Sequence, residues 1–322
     1  MGAAAGTAAT IDPLHSGAKA PLPAASVRCR GEGAARRRRT LAPGINQAAN
    51  EAVSEALAIL LHPVVAALYA AAAWLCYPRA DNPPAASRRI DALVLTALVL
   101  HAIGLVRAIG TPDGLDLAIG NALSLVAGLA VLVAWATGLV RALPAVGAVV
   151  LPVAAVAAVL PALSALAPGM PKIPYANVPW ASVHIAIALV AYAILIVAAA
   201  EALVLTGIER RLHRGLAGAM PAPPLLTLER WLFLLIGLGY ALLTLTLASG
   251  IFYSEELFAT PAQVNQKNVF AVAAWLVYTA LLAGRLRYGW RGRRALKWIL
   301  AGTVLLLLAY LGNKLVLELL HP

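Results

Sequence analysis

The chain has 322 residues, of which 61% are hydrophobic and only 12% charged, with a mean hydropathy of +0.82. That balance excludes a soluble globular domain, and the net charge of +11 is divided between a basic N-terminal stretch and short basic connections between apolar runs rather than gathered on a nucleic-acid surface. The two cysteines, Cys29 and Cys76, form neither a Cys-x-x-Cys nor a Cys-x-x-Cys-His pair, so the chain is neither a dithiol reductase nor a c-type cytochrome.

Residues 1–50 are rich in Ala, Gly and Pro and carry seven positive charges, Lys19, Arg28, Arg30 and the run Arg36 to Arg39. They have no helical period and no apolar core of a signal peptide, and they read as a disordered basic leader or a start assigned too far upstream. Residues 51–322 then form the membrane unit. Runs with almost no charge lie at about 53–76, 90–110, 117–140, 144–167, 181–207, 229–250, 269–284 and 296–319. Hydrocarbon offers no water to free N–H and C=O groups, so each run is expected to be helical. The fold class is therefore all-α, a polytopic bundle of about eight transmembrane helices lying in membrane lipid.

Lys and Arg in alternate connections set the orientation. The connections after the first, third, fifth and seventh runs hold fourteen, and the opposite set, Arg107, Lys172, Lys267 and Lys314, holds four. The richer set belongs in the cytoplasm, which puts both termini outside. His184, opening the fifth run, and His321, closing the eighth, then share the outer face. Only the basic leader runs against this orientation.

Polar groups inside apolar runs are costly and point to function. His62 and His101 lie in the first two runs, in their outer halves, and each is open to a second reading as an imidazole bonded to a neighbouring carbonyl. His184 follows the interfacial Trp180 by about one helical turn, and exposure to water is its plain alternative. Glu255 and Glu256 sit among Phe252, Tyr253 and Phe258, in either a bilayer-surface platform or a solvated loop. Glu201 is expected to reach Arg210 or Arg211, and the basic run Arg285 to Lys297 to orient the last two spans. Phosphate-binding Gly loops, His-Glu-x-x-His pairs and Gly-x-Ser-x-Gly elbows are absent from the sequence.

Leu228-Glu229-Arg230, Gly237-Leu238-Gly239-Tyr240, Leu245 to Gly250, Tyr288-Gly289-Trp290-Arg291-Gly292 and Leu311-Gly312 ahead of His321 follow one another in the second half. With Asn121-Ala122-Leu123-Ser124-Leu125, this order resembles the cytochrome c assembly family of CcsA/CcmC type, especially its HemX/YpjD-like branch, over roughly residues 90–321. The resemblance implies haem b held non-covalently at the outer face by two histidines. His184, ahead of Ala191-Tyr192-Ala193, matches the first, and His321 the second, as axial ligands to the iron. His62 and His101 would be transit ligands. It also implies a bacterial inner-membrane location and, as partners, a second assembly subunit or an apocytochrome, with no nucleic acid and no enzymatic step.

Departures from the family pattern are specific. Phe252 to Phe258 stands where haem-handling members carry a tryptophan-rich segment ending in Trp-Asp, Gln266 replaces a histidine before Lys267, and a membrane histidine ahead of Asn121 is missing, with Asp116 nearby. Two other functions stay open at this point. One is a membrane scaffold with a degenerate haem site. The other is a small-solute permease, which calls for broken helices and midplane charges.

Overall fold

The computed structural model describes residues 60–76, 84–111, 114–141, 144–165, 179–214, 225–252 and 266–320. The leader, His321, Glu255 and Glu256 lie outside the described residues. Among the described residues eight helices follow in order: α1 Leu60–Cys76, α2 Pro84–Ile109, α3 Ile119–Arg141, α4 Pro144–Ala165, α5 Pro179–His213, α6 Leu225–Phe252, α7 Gln266–Tyr288 and α8 Gly292–Leu320. A two-stranded antiparallel ribbon, β1 Gly110–Thr111 with β2 Gly114–Leu115, joins α2 to α3.

Among the described residues, α2, α3, α5, α6 and α7 are long and apolar enough to cross a membrane, while α1 and α4 contain shorter apolar helices. Large apolar side chains also face outward on many helices, including Val64, Val106, Val153, Val156, Leu234, Leu245, Leu276 and Val304. Water would penalise so wide an apolar surface, whereas lipid accepts it. The chain is thus a multi-pass membrane protein.

Helix α5 is central, packing on α3, α4, α6 and α8. From Ala191 to Ala202 nearly every residue is buried, and most are Ala or Val. Lipid tails supply no hydrophobic force between helices, so association depends on close approach and hydrogen bonds. Small residues provide the approach. A Cβ at Gly239 would stand 2.7 Å from Leu195, and one at Gly302 would stand 2.7 Å from Tyr278, so α5–α6 and α7–α8 cross at near-backbone distance. Hydrogen bonds complete the seams: Tyr278 with Thr303 at 2.9 Å, Tyr240 with Thr279 at 2.9 Å, and Trp275 Nε1 donating to Thr244 at 2.9 Å.

The Tyr288-Gly289-Trp290-Arg291-Gly292 segment turns α7 into α8. Gly289 N–H donates to the Arg285 carbonyl at 3.1 Å, an αL closure with Gly289 at φ 63°, and Trp290 N–H donates to the Gly284 carbonyl at 3.3 Å. Trp290 packs where a Cβ on Gly284 would sit, then stacks on Trp298. Gly292, at φ 54°, opens α8 beside the Glu209 carboxylate at the end of α5, where a helix N-terminus favours negative charge.

Candidate haem-ligand site at the α5–α6 seam

His184 stands in the second turn of α5, half-buried against the end of α6. Its Nδ1 lies 2.7 Å from Ser249 Oγ, and Ser249 Oγ in turn donates to the Thr246 carbonyl at 3.1 Å. A hydroxyl has one hydrogen. With the Ser249 hydrogen on the Thr246 carbonyl, His184 Nδ1 carries the proton and donates to Ser249. The ring is then the Nδ1–H tautomer, and Nε2 keeps its lone pair. Metal-binding histidines are prepared in this way, by a second partner that fixes tautomer and ring plane. Gly250 follows Ser249, and its missing side chain keeps the imidazole edge clear: a Cβ there would stand 3.4 Å from Cε1.

The other described membrane histidines are placed differently. His101 is buried at 1% exposure among α1, α2 and α3, with Tyr69 Oη 3.1 Å from Nδ1 and Ser124 Oγ 2.8 Å from Nε2. Both of its nitrogens are engaged, and Gly128 leaves room for the ring. His62, 4% exposed, lies against Gly104 and makes a hydrogen bond to the backbone at Ala158. That backbone belongs to the turn before Pro161, whose ring has no N–H to give the Ala157 carbonyl. His62 and His101 are both buried and near enough for the one charge to act on the other, while His184 is held at the α5–α6 seam.

Sequence reasoning missed the partners. Ser249 lies 65 residues from His184, and Tyr69 lies 32 from His101. A hydroxyl inside an apolar run was the available signal, since Ser and Thr there commonly seek a bond across helices. The basic run after α7 also proves more than an orienting flank. Glu229 accepts from Arg285 at 2.5 Å and from Arg291 at 3.0 Å, while the Arg285 guanidinium lies 4.4 Å over the Phe233 ring. Glu201 is buried and lines a small apolar cleft with Val146, Leu205, Leu228 and Leu232.

At the start of α3, Asp116 accepts from Ala118 N–H at 3.0 Å, and the Asn121 amide donates to the Asp116 carbonyl at 3.0 Å and to Ala108 at 3.4 Å. This ties α3 back to the end of α2. The Leu105, Ile109, Leu117 and Ala122 side chains pack there against Ile185, the neighbour of His184. The family-like Asn121 segment thus shapes the end of the bundle next to His184.

An α-helical membrane bundle with an imidazole hydrogen-bonded across two of its helices is the class of protein that the fold and site define. The particular family follows from comparison: residues 90–321 match the model of the cytochrome c assembly protein family, and the chain belongs to it. It is 43% identical over 142 residues to the inner membrane protein YpjD of Escherichia coli, covering 44% of this chain and 53% of that protein. It is 34% identical over 95 residues to the cytochrome c biogenesis protein CcsA of Trichormus variabilis, covering 30% of this chain and 27% of that one. The CcsA of Thermosynechococcus vestitus is also 34% identical over 95 residues, covering 30% of each chain. The matches thus span about half the length of YpjD and less than a third of CcsA. No solved structure matches.

Proposed function

We propose that the chain is an inner-membrane cytochrome c biogenesis protein that binds haem b at the outer face, with His184 and His321 as axial ligands. The observation that carries this reading is the His184–Ser249–Thr246 chain, which engages Nδ1 and leaves Nε2 for a ligand. Haem supplies iron chemistry when bound. The protein's own part is coordination and release, without bond-making, so no enzymatic step is assigned.

In this reading the chain crosses the membrane eight times with both ends outside, and it works with an apocytochrome or a second assembly subunit. His101 could coordinate iron only by giving up Tyr69 or Ser124, and His62 only from within the packed α1–α2–α4 contact. Transit ligation at these two is therefore secondary to packing. A scaffold with a degenerate site is the competing reading, favoured by Gln266, which opens α7 where a ligand histidine was expected.

Ferric haem titrated into detergent-purified full chain, followed at the Soret band, tests the proposal. Saturable binding that is lost in a His184→Ala/His321→Ala double variant is expected. No band, or an unchanged one in that variant, would favour the scaffold.

A further inference from the structure

Lys267, in the first turn of α7, has no role in the proposal so far. It is exposed, and among the described residues it has no ion pair and no hydrogen bond. An unpaired ammonium at the end of an apolar bundle is a group for which a ligand is a natural partner. Its position is fixed by register. The Tyr240–Thr279 and Thr244–Trp275 bonds are spaced by four residues on each helix and run in opposite senses. Carried outward, this antiparallel register brings Lys267 level with Phe252, half a turn beyond the Ser249–Gly250 pair that faces His184. The ammonium acts electrostatically on the His184 ring, in keeping with that placement.

We propose that Lys267 binds a carboxylate of the porphyrin whose iron His184 holds, and so decides which edge of the macrocycle points outward. This rests on the haem reading above. Porphyrin carboxylates lie on the rim, away from the iron, so a cation serving them must stand beside the axial ligand and not on it. Lys267 meets that requirement. Of the other outer cations whose side chains are described, Arg107 lies in the last turn of α2, on a different helix from either partner of the seam. Lysine suits the task as a point charge on a flexible stem that can follow a mobile propionate.

Parallel titrations of the purified full chain with ferric haem and with its dimethyl ester, which lacks the carboxylates, test this assignment, with His184→Ala as the baseline for micelle partitioning. Wild type should prefer the free acid by roughly tenfold, the scale of one charge-assisted hydrogen bond. Lys267→Gln should lose that preference while binding the ester as wild type does, which also shows that the variant is folded. Lys267→Arg should recover most of it. Equal affinity of wild type for acid and ester, or an undiminished preference in Lys267→Gln, overturns the role of Lys267 and leaves the haem reading standing. Binding of neither porphyrin by wild type removes both.

Discussion

His184 and Ser249 meet across the α5–α6 seam at 2.7 Å, and the serine hydrogen is already committed to the Thr246 carbonyl at 3.1 Å. The Thr246 carbonyl one turn down α6 is thereby linked through Ser249 to an imidazole on α5.

Ser249→Ala should weaken haem binding by roughly ten- to a hundredfold, the usual effect of removing a group that orients a metal-binding imidazole. Ser249→Thr keeps the hydroxyl and should recover most of the affinity. Soret titrations of both variants check this, and an unaffected Ser249→Ala would remove Ser249 from the site.

The Glu229 carboxylate holds two arginines at once, so its loss should cost more than the loss of either. Glu229→Gln is expected to lower stability by about 2 kcal/mol, as a charge-assisted hydrogen bond does. Arg291, more than half exposed, should contribute less than ~1 kcal/mol. Thermal unfolding in detergent of Glu229→Gln, Arg285→Gln and Arg291→Gln should rank the first two well below wild type and the third close to it.

Two glycines give a paired packing test. Gly302→Ala places a methyl 2.7 Å from Tyr278, and overpacking of this kind costs ~1–3 kcal/mol. Gly138→Ala meets nothing within 4 Å and should be neutral or slightly stabilising, since alanine is the better helix former. Equal unfolding midpoints for the two variants would contradict the close α7–α8 crossing.

Orientation is open to chemical labelling. In a Cys29→Ser/Cys76→Ser background, Lys267→Cys should react with an impermeant maleimide applied to spheroplasts. Arg293→Cys, on the exposed opposite end, should react only after lysis. The reverse pattern would invert the proposed topology.

The helices were legible because a lipid-crossing helix needs a long apolar run, which survives without knowledge of its neighbours, although among the described residues five are long and apolar enough to cross. Their ends were less so. Sequence reading stopped the fifth run at 207, but α5 continues to His213, because Glu209, Arg210, Arg211 and Leu212 are good helix formers that leave the bilayer without breaking the helix. The Gly110–Leu115 ribbon was illegible because two-residue strands have no period to read. His184 was found from its flanks, whereas its tautomer depends on Ser249, a distant contact that no local pattern encodes. The Glu229 signature was visible in the same sense, as a motif without its partners.

The most direct measurement is the electron paramagnetic resonance spectrum of ferric haem bound to the full chain. Ligation by His184 and His321 predicts a low-spin signal of two imidazoles, converted to high spin in His184→Ala and in His321→Ala separately. A wild-type spectrum that is high spin, or one that neither substitution alters, would contradict the paired-histidine site.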